Sequence, residues 1–243
     1  MNKAENDVFG NLQALFQEGL GAHQSGRLTE AEAAYRKILN AAPGHADANH
    51  LLGVIALQVG DHQAAVELIG KAIEITPTAA AYHCNLGNAL YELGRLEEAA
   101  ASQQQAIELD PDYAKAHNNL GNVRLAQDRF GDAIDSFRKA VALNPDNAEA
   151  HTTLGNTLQK TGHLGDAATS HRNALEINPD YAEAHTNLGN VQKDMGRFDD
   201  AVGSFQKAID LNPDLAGAAH QSGTNLARSG PSRRCRRQSS TRH

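Results

Sequence analysis

A Leu-Gly pair returns every 34 residues along this chain, at Leu52-Gly53, Leu86-Gly87, Leu120-Gly121, Leu154-Gly155 and Leu188-Gly189. One step further back the glycine persists as Gly19 behind Glu18. Six repeats follow, starting at Leu12, Ala46, Ala80, Ala114, Ala148 and Ala182, with the last ending at Leu215. Other positions keep the same step. Position 20 of the repeat is Ala31, Ala65, Ala99, Ala133, Ala167 and Ala201, and position 32 is Pro43, Pro77, Pro111, Pro145, Pro179 and Pro213. A segment this short cannot hide its apolar surface alone, so the period calls for copies stacked in order, each covering the next.

Within a repeat, positions 4, 7, 8 and 11 form one face of a first helix (A), and positions 17, 20, 21, 24 and 28 one face of a second (B). Phe130, Ala133, Ile134, Phe137 and Val141 show the second pattern. Position 15 is Gly26, Gly60, Gly94, Gly162 and Gly196, with Asp128 once, which suits a helix end that needs positive φ. The proline at position 32 stops helix B. Asp146 to Glu149 and Asp180 to Glu183 read as capping boxes for the helices that follow. Glycine inside a helix costs about 1 kcal/mol relative to alanine. Its recurrence at position 8 therefore predicts a close helix crossing, with the alanine at position 20 as the partner.

The combination of Leu-Gly at positions 7 and 8, Ala at 20 and Pro at 32 resembles the tetratricopeptide repeat over residues 12–215. The resemblance implies an all-α fold, a right-handed α-solenoid of helix-turn-helix repeats spanning 12–45, 46–79, 80–113, 114–147, 148–181 and 182–215. Residues 1–11 become an N-terminal extension, 216–229 a capping helix or partial seventh helix A, and 230–243 a basic disordered tail. The pattern departs from the family where His83, His117, His151 and His185 replace the first aromatic. It departs again where the second aromatic is Leu90, Arg124, Leu158 and Gln192.

In this family the concave face, lined by helices A, binds ligands. On helix A, positions 2, 5, 6, 9, 12 and 13 lie opposite the packing face. Position 6 is Asn85, Asn119, Thr153 and Asn187; position 9 is Asn88, Asn122, Asn156 and Asn190. Asparagine is a poor helix-interior residue, and its amide both donates and accepts. A row of such amides can hold the backbone of an extended peptide without reading its side chains. Lys115, Tyr91 and Lys193, with Glu149, Glu183 and Gln159, flank the row and would add selectivity. The pattern also resembles the repeat arm of O-linked N-acetylglucosamine transferases, whose asparagine ladder holds substrate peptides. Asn85, Asn119 and Asn187 match that ladder and Thr153 breaks it, while the transferase's catalytic domain has no counterpart here. The expected function is thus a protein-interaction scaffold without catalysis, with the substrate-recruiting arm of such a transferase as the alternative. The carboxylate clamp of chaperone-binding relatives is not matched.

Nothing in the sequence calls for a cofactor or a metal. The recurring histidines sit one per repeat on separate helices, too far apart to share a zinc ion, and read as packing residues. Cys84 and Cys235 build no disulfide or zinc framework. The formal net charge is −7, but six of the 22 basic residues lie from Arg228 onward with no acid among them. The remainder is more acidic still and a poor surface for nucleic acid, so the Arg-rich tail is the one candidate for such contact. No apolar signal core opens the chain and no apolar run reaches membrane-spanning length, so a cytoplasmic location is expected and no membrane partner. Self-association through exposed end repeats stays open.

Overall fold

The computed structural model describes residues 3–213, with side chains from Gly10 onward. The partial seventh helix over 216–229 and the basic tail over 230–243 lie outside the described residues, as does Cys235. Twelve α-helices and no strand occur among the described residues. Helix A of each repeat after the first occupies its first thirteen positions: α3 (Ala46–Gln58), α5 (Ala80–Glu92), α7 (Ala114–Ala126), α9 (Ala148–Lys160) and α11 (Ala182–Asp194). Helix B follows as α2 (Leu28–Ala41), α4 (His62–Ile75), α6 (Leu96–Leu109), α8 (Phe130–Leu143), α10 (Leu164–Ile177) and α12 (Phe198–Leu211). In the first repeat helix A belongs to a longer helix, α1 (Lys3–Gln24), which runs without a break through the segment ahead of Leu12.

The chain divides into two compact parts, Met1–Pro145 and Asp146–His243. In the first, α1 to α8 stack in chain order, each against the next. In the second, α9 to α12 do the same. Both are all-α solenoid segments, the architecture expected from the period.

The glycines at position 15 adopt φ between 72° and 83°, and Asp128 follows at 55°. Only a residue that tolerates the left-handed region can end helix A so sharply. The alanines at position 20 are all fully buried, but they are not what the position-8 glycines face most closely. A Cβ at Gly121 would meet the Phe137 ring at 2.5 Å, and one at Gly189 the Phe205 ring at 2.7 Å. Tyr35, Ile69, Gln103 and His171 crowd Gly19, Gly53, Gly87 and Gly155 in the same way. The glycine makes room for the side chain at position 24, one turn beyond the alanine, because a large side chain lies across the crossing where a small one would leave a void.

The expected capping boxes do not form. The cap of α9 is Asn147, whose side chain accepts from the Ala150 N–H at 3.1 Å, and Tyr181 stands at the start of α11 with no side-chain cap bond. The turn itself is held earlier. Asn178 and Asp110, each just before a proline, accept from the N–H two residues on, at 3.2 Å in both cases. The acidic side chains opening helices B pair instead with the arginine just before the helix, as in Arg95–Glu98 at 2.5 Å and Arg197–Asp200 at 2.8 Å. These pairs are exposed, where screening by water leaves them little net stabilisation.

The recurring histidines have a definite task. His83, His117 and His185 bond through Nε2 to the carbonyls of Pro77, Pro111 and Pro179 at 2.8, 2.9 and 3.0 Å. Asn49 does the same to Pro43 at 3.1 Å. The proline carbonyl has left helix B without an intrahelical partner, and the first turn of the next helix supplies one. Among the described residues no three His, Cys, Asp or Glu side chains come together as metal ligands. No helix among them is long and apolar enough to cross a membrane.

Candidate functional site

The asparagines of helices A divide by what their amides touch. At position 6, Asn85 donates through Nδ2 to His50 Nε2 at 2.8 Å, and Asn119 donates to Cys84 Sγ at 3.3 Å. In both pairs the partner is position 5 of the preceding repeat, 35 residues back. These two residues tie one repeat to the next, and one amide hydrogen of each is taken up by that joint.

The joint around His50 is extensive. Its ring stacks on Tyr82 with centroids 4.3 Å apart, and the Tyr82 hydroxyl donates to Asp47 Oδ1. Burial, only partly offset by the Asp47 carboxylate, lowers the His50 pKa to about 4, with Lys115 pushing the same way. The ring is therefore neutral at pH 7, as an acceptor for the Asn85 amide must be. Burial likewise raises the Cys84 thiol, and the Tyr113 hydroxyl is pushed up to about 12 by burial and by its neighbour Cys84. Cys84 is fully buried and acts as an acceptor in the core, out of reach of solvent.

At position 9 the pattern differs. Asn88 accepts through Oδ1 from the buried Gln103 amide at 3.0 Å, which also donates to the Cys84 carbonyl at 2.9 Å. Asn122, Asn156 and Asn190 have no side-chain hydrogen bond among the described residues. Asn122 and Asn190 are half-buried and Asn156 is exposed. Asn187 Nδ2 is buried without a partner among those residues. The Thr153 hydroxyl turns back on the Glu149 carbonyl at 3.0 Å, so the break in the row presents no free donor. Lys115 is exposed and Lys193 half-buried.

Four of the nominated residues converge in the first part of the chain. Asn88, Tyr91, Asn119 and Asn122 line an open pocket of about 380 Å3, together with Leu57, Gln58, His62, Glu92 and Val123. Its walls come from α3, α4, α5 and α7, so three successive repeats build it. His62 brings to it a ring whose Nδ1 is buried and unpartnered among the described residues. Asn85 and Lys115 stand outside the lining, and Asn156, Asn187, Asn190 and Lys193 belong to the second part of the chain. Sequence reasoning missed His50, Cys84 and Gln103 as partners of the asparagines. The available signal was the offset of one residue more than the period, which joins position 6 to position 5 of the repeat before.

No curated protein matches the sequence. Solved structures match it along most of its length. The PilF structure from Pseudomonas aeruginosa is 24% identical, covering 89% of this chain and 96% of that one with a TM-score of 0.75. YrrB, a TPR protein with an unusual peptide-binding site, is 24% identical over 78% of this chain and 97% of its own, with a TM-score of 0.65. A structure of MamA is 26% identical over 68% and 97%, with a TM-score of 0.63. The family model for the cilia and flagella-associated protein 70 C-terminal domain, a tetratricopeptide-repeat domain, matches residues 2–226. With repeat length, helix pairing and the glycine crossing all in agreement, the chain belongs to that tetratricopeptide-repeat family.

Proposed function

We propose that the chain is a protein-interaction scaffold without catalysis of its own, and that it holds an extended peptide against helices A of repeats 2 to 4. The observation that carries this reading is the 380 Å3 pocket in which Asn88, Asn119 and Asn122 sit beside Tyr91. Asn122 offers there a free donor and a free acceptor at the spacing of one side chain, which is what a peptide group presents in return. Leu57 and Val123 add an apolar wall for a side chain. Pockets of this size, mostly apolar with a few fixed polar groups, are where proteins bind ligands. Peptide binding in YrrB belongs to that protein; the shared fold makes the same mode available here. The transferase-arm reading asks for free amides at position 6, and Asn85 and Asn119 already commit a hydrogen each to the repeat before.

The test is a peptide selected from a random display library against the whole chain, then titrated against variants. Asn122→Ala is expected to weaken it about tenfold, near 1.4 kcal/mol, with the helical signal unchanged. Equal affinity for wild type and variant removes the amide pocket from the account.

A further inference from the structure

A second recess lies elsewhere in the first part of the chain, and it shares no lining residue with the pocket above. It is a furrow between α2 and α4, floored by α3, made of two cavities of about 580 and 110 Å3. They join at Arg36, Leu52 and Leu68, which line both. A like recess of about 230 Å3 over α7 is lined by His117, Arg124 and Ser136, and the furrow is the larger for what repeat 2 lacks. The repeat pattern puts Trp at position 4 and Tyr at position 11 of helix A, and α3 carries Asn49 and Ala56 there. In repeats 3 to 6 the eleventh position is a long side chain. Two of those reach across to the serine at position 23: Arg124 to Ser136 at 2.6 Å, and Gln192 from Ser204 at 2.7 Å. In repeat 2 position 23 is Leu68, so the wall is apolar as well as open. Val59, at the same end as Ala56, is 64% exposed.

The furrow has electrical polarity. Lys71 stands at one end, exposed, with no carboxylate in ion-pairing range among the described residues. Arg36 on the facing helix is paired to Glu32 at 2.8 Å, and Asp61 at the other end caps α4 by accepting from the Ala64 N–H at 3.1 Å. The Lys71 end of the recess is therefore positive, while Asp61 keeps its negative charge at the other end. The two missing rings are seven residues apart on α3, about 10 Å along the helix axis. A polyproline II segment places residues i and i+3 on one face, about 9 Å apart.

We propose that this furrow is a second docking surface, taken by an acidic partner segment that seats two aromatic side chains over Asn49 and Ala56 and sets a carboxylate against Lys71. The partner thus completes repeat 2 with rings the chain does not carry. Aromatic side chains bury large area with few rotamers to fix, so two of them suffice to anchor a short segment.

The protein has no tryptophan, so the emission of a tryptophan-bearing peptide reports its own burial. The probe is acetyl-Glu-Trp-Ser-Ser-Trp-Ser-amide, titrated with the full chain. A saturable blue shift is expected. Ala56→Tyr, which fills the furrow from within, should weaken binding at least tenfold while helicity is kept. Lys71→Glu, at an exposed side chain without a partner, should weaken it roughly tenfold and tests the same site if the tyrosine variant fails to fold. Replacing the peptide's Glu by Lys should act like Lys71→Glu, and Asn122→Ala should change nothing. The proposal is overturned by the absence of a saturable shift, by wild-type affinity in Lys71→Glu, or by loss of binding in Asn122→Ala, which would seat the peptide in the other pocket. A peptide-free dimer in sedimentation that Ala56→Tyr dissolves would also overturn it, since a second copy would then be the occupant.

Discussion

His50 and His171 are both buried imidazoles whose pKa falls to about 4 because burial disfavours the charged ring. They differ in what surrounds the nitrogens. His50, in the first part of the chain, accepts from Asn85 and lies on the Tyr82 ring. His171, in the second part, has both nitrogens buried with no partner among the described residues, and Gly155 directly beneath its ring. Tyr35, Phe137 and Phe205 hold the equivalent place in other repeats. In repeat 5 position 24 takes the shape of a ring and offers nothing to its polar atoms, whereas in repeat 3 Gln103 there donates to Asn88 and to the Cys84 carbonyl. Position 5 is a polar joint between repeats, where a nitrogen is an asset. The same residue type is a strain at one place and a link at the other.

The largest expected effect is one the two share, a loss of stability in acid. The unfolded imidazole titrates near 6.5 and the folded one near 4. Between those values the unfolded chain binds more protons, so stability is full above pH 6.5 and is lost as pH falls toward 4. For His171 the loss amounts to about 3 kcal/mol below pH 4. His50 acts with the same sign. Urea melts at pH 7 and pH 4 should show His171→Phe removing about half of the combined acid loss; an unchanged pH dependence would mean that the ring is hydrated after all.

Next in size, Gly121→Ala should cost about 2–3 kcal/mol, because its Cβ meets the Phe137 ring at 2.5 Å and neither helix can withdraw freely. Gly155→Ala should cost less in a His171→Ala background than in the wild type, and the thermal melts of the four proteins measure that coupling. At pH 7, where both imidazoles are neutral, His171→Phe should stabilise by about 1–2 kcal/mol, since two buried nitrogens lose an unmet requirement for partners. Asn85→Ala should destabilise by about 1 kcal/mol, leaving His50 Nε2 without its donor. A gain from Asn85→Ala, or a loss from His171→Phe, would erase the distinction between the two places. The smallest effect is expected at Asp128, which holds φ 55° where the other repeats use glycine. Asp128→Gly should raise stability by about 0.5–1 kcal/mol in chemical melts.

How much of this was legible in the sequence depends on the distance over which each feature is decided. Gly26 and Gly60 could be read as helix ends because positive φ is a demand of the local backbone. The close approach at Gly121 could be read as a crossing, but its partner could not. Ala133 and Phe137 both face the right way, and only the packed depth of the two helices selects Phe137. Asn85 and Asn122 look alike in the sequence, as members of one polar stripe. In the fold Asn85 is a rivet to His50, while Asn122 lines an open pocket.

The sequence by itself determined the helix pairs and their order. A period of 34 residues with punctuation at fixed positions leaves the backbone little choice, and each repeat must lean on the next. Only the tertiary structure decided which amides are joints and which remain open, and where repeat 2 is hollow. Those outcomes turn on ångström-scale distances between helices that are set by the side chains filling each crossing, and no single repeat carries that information alone.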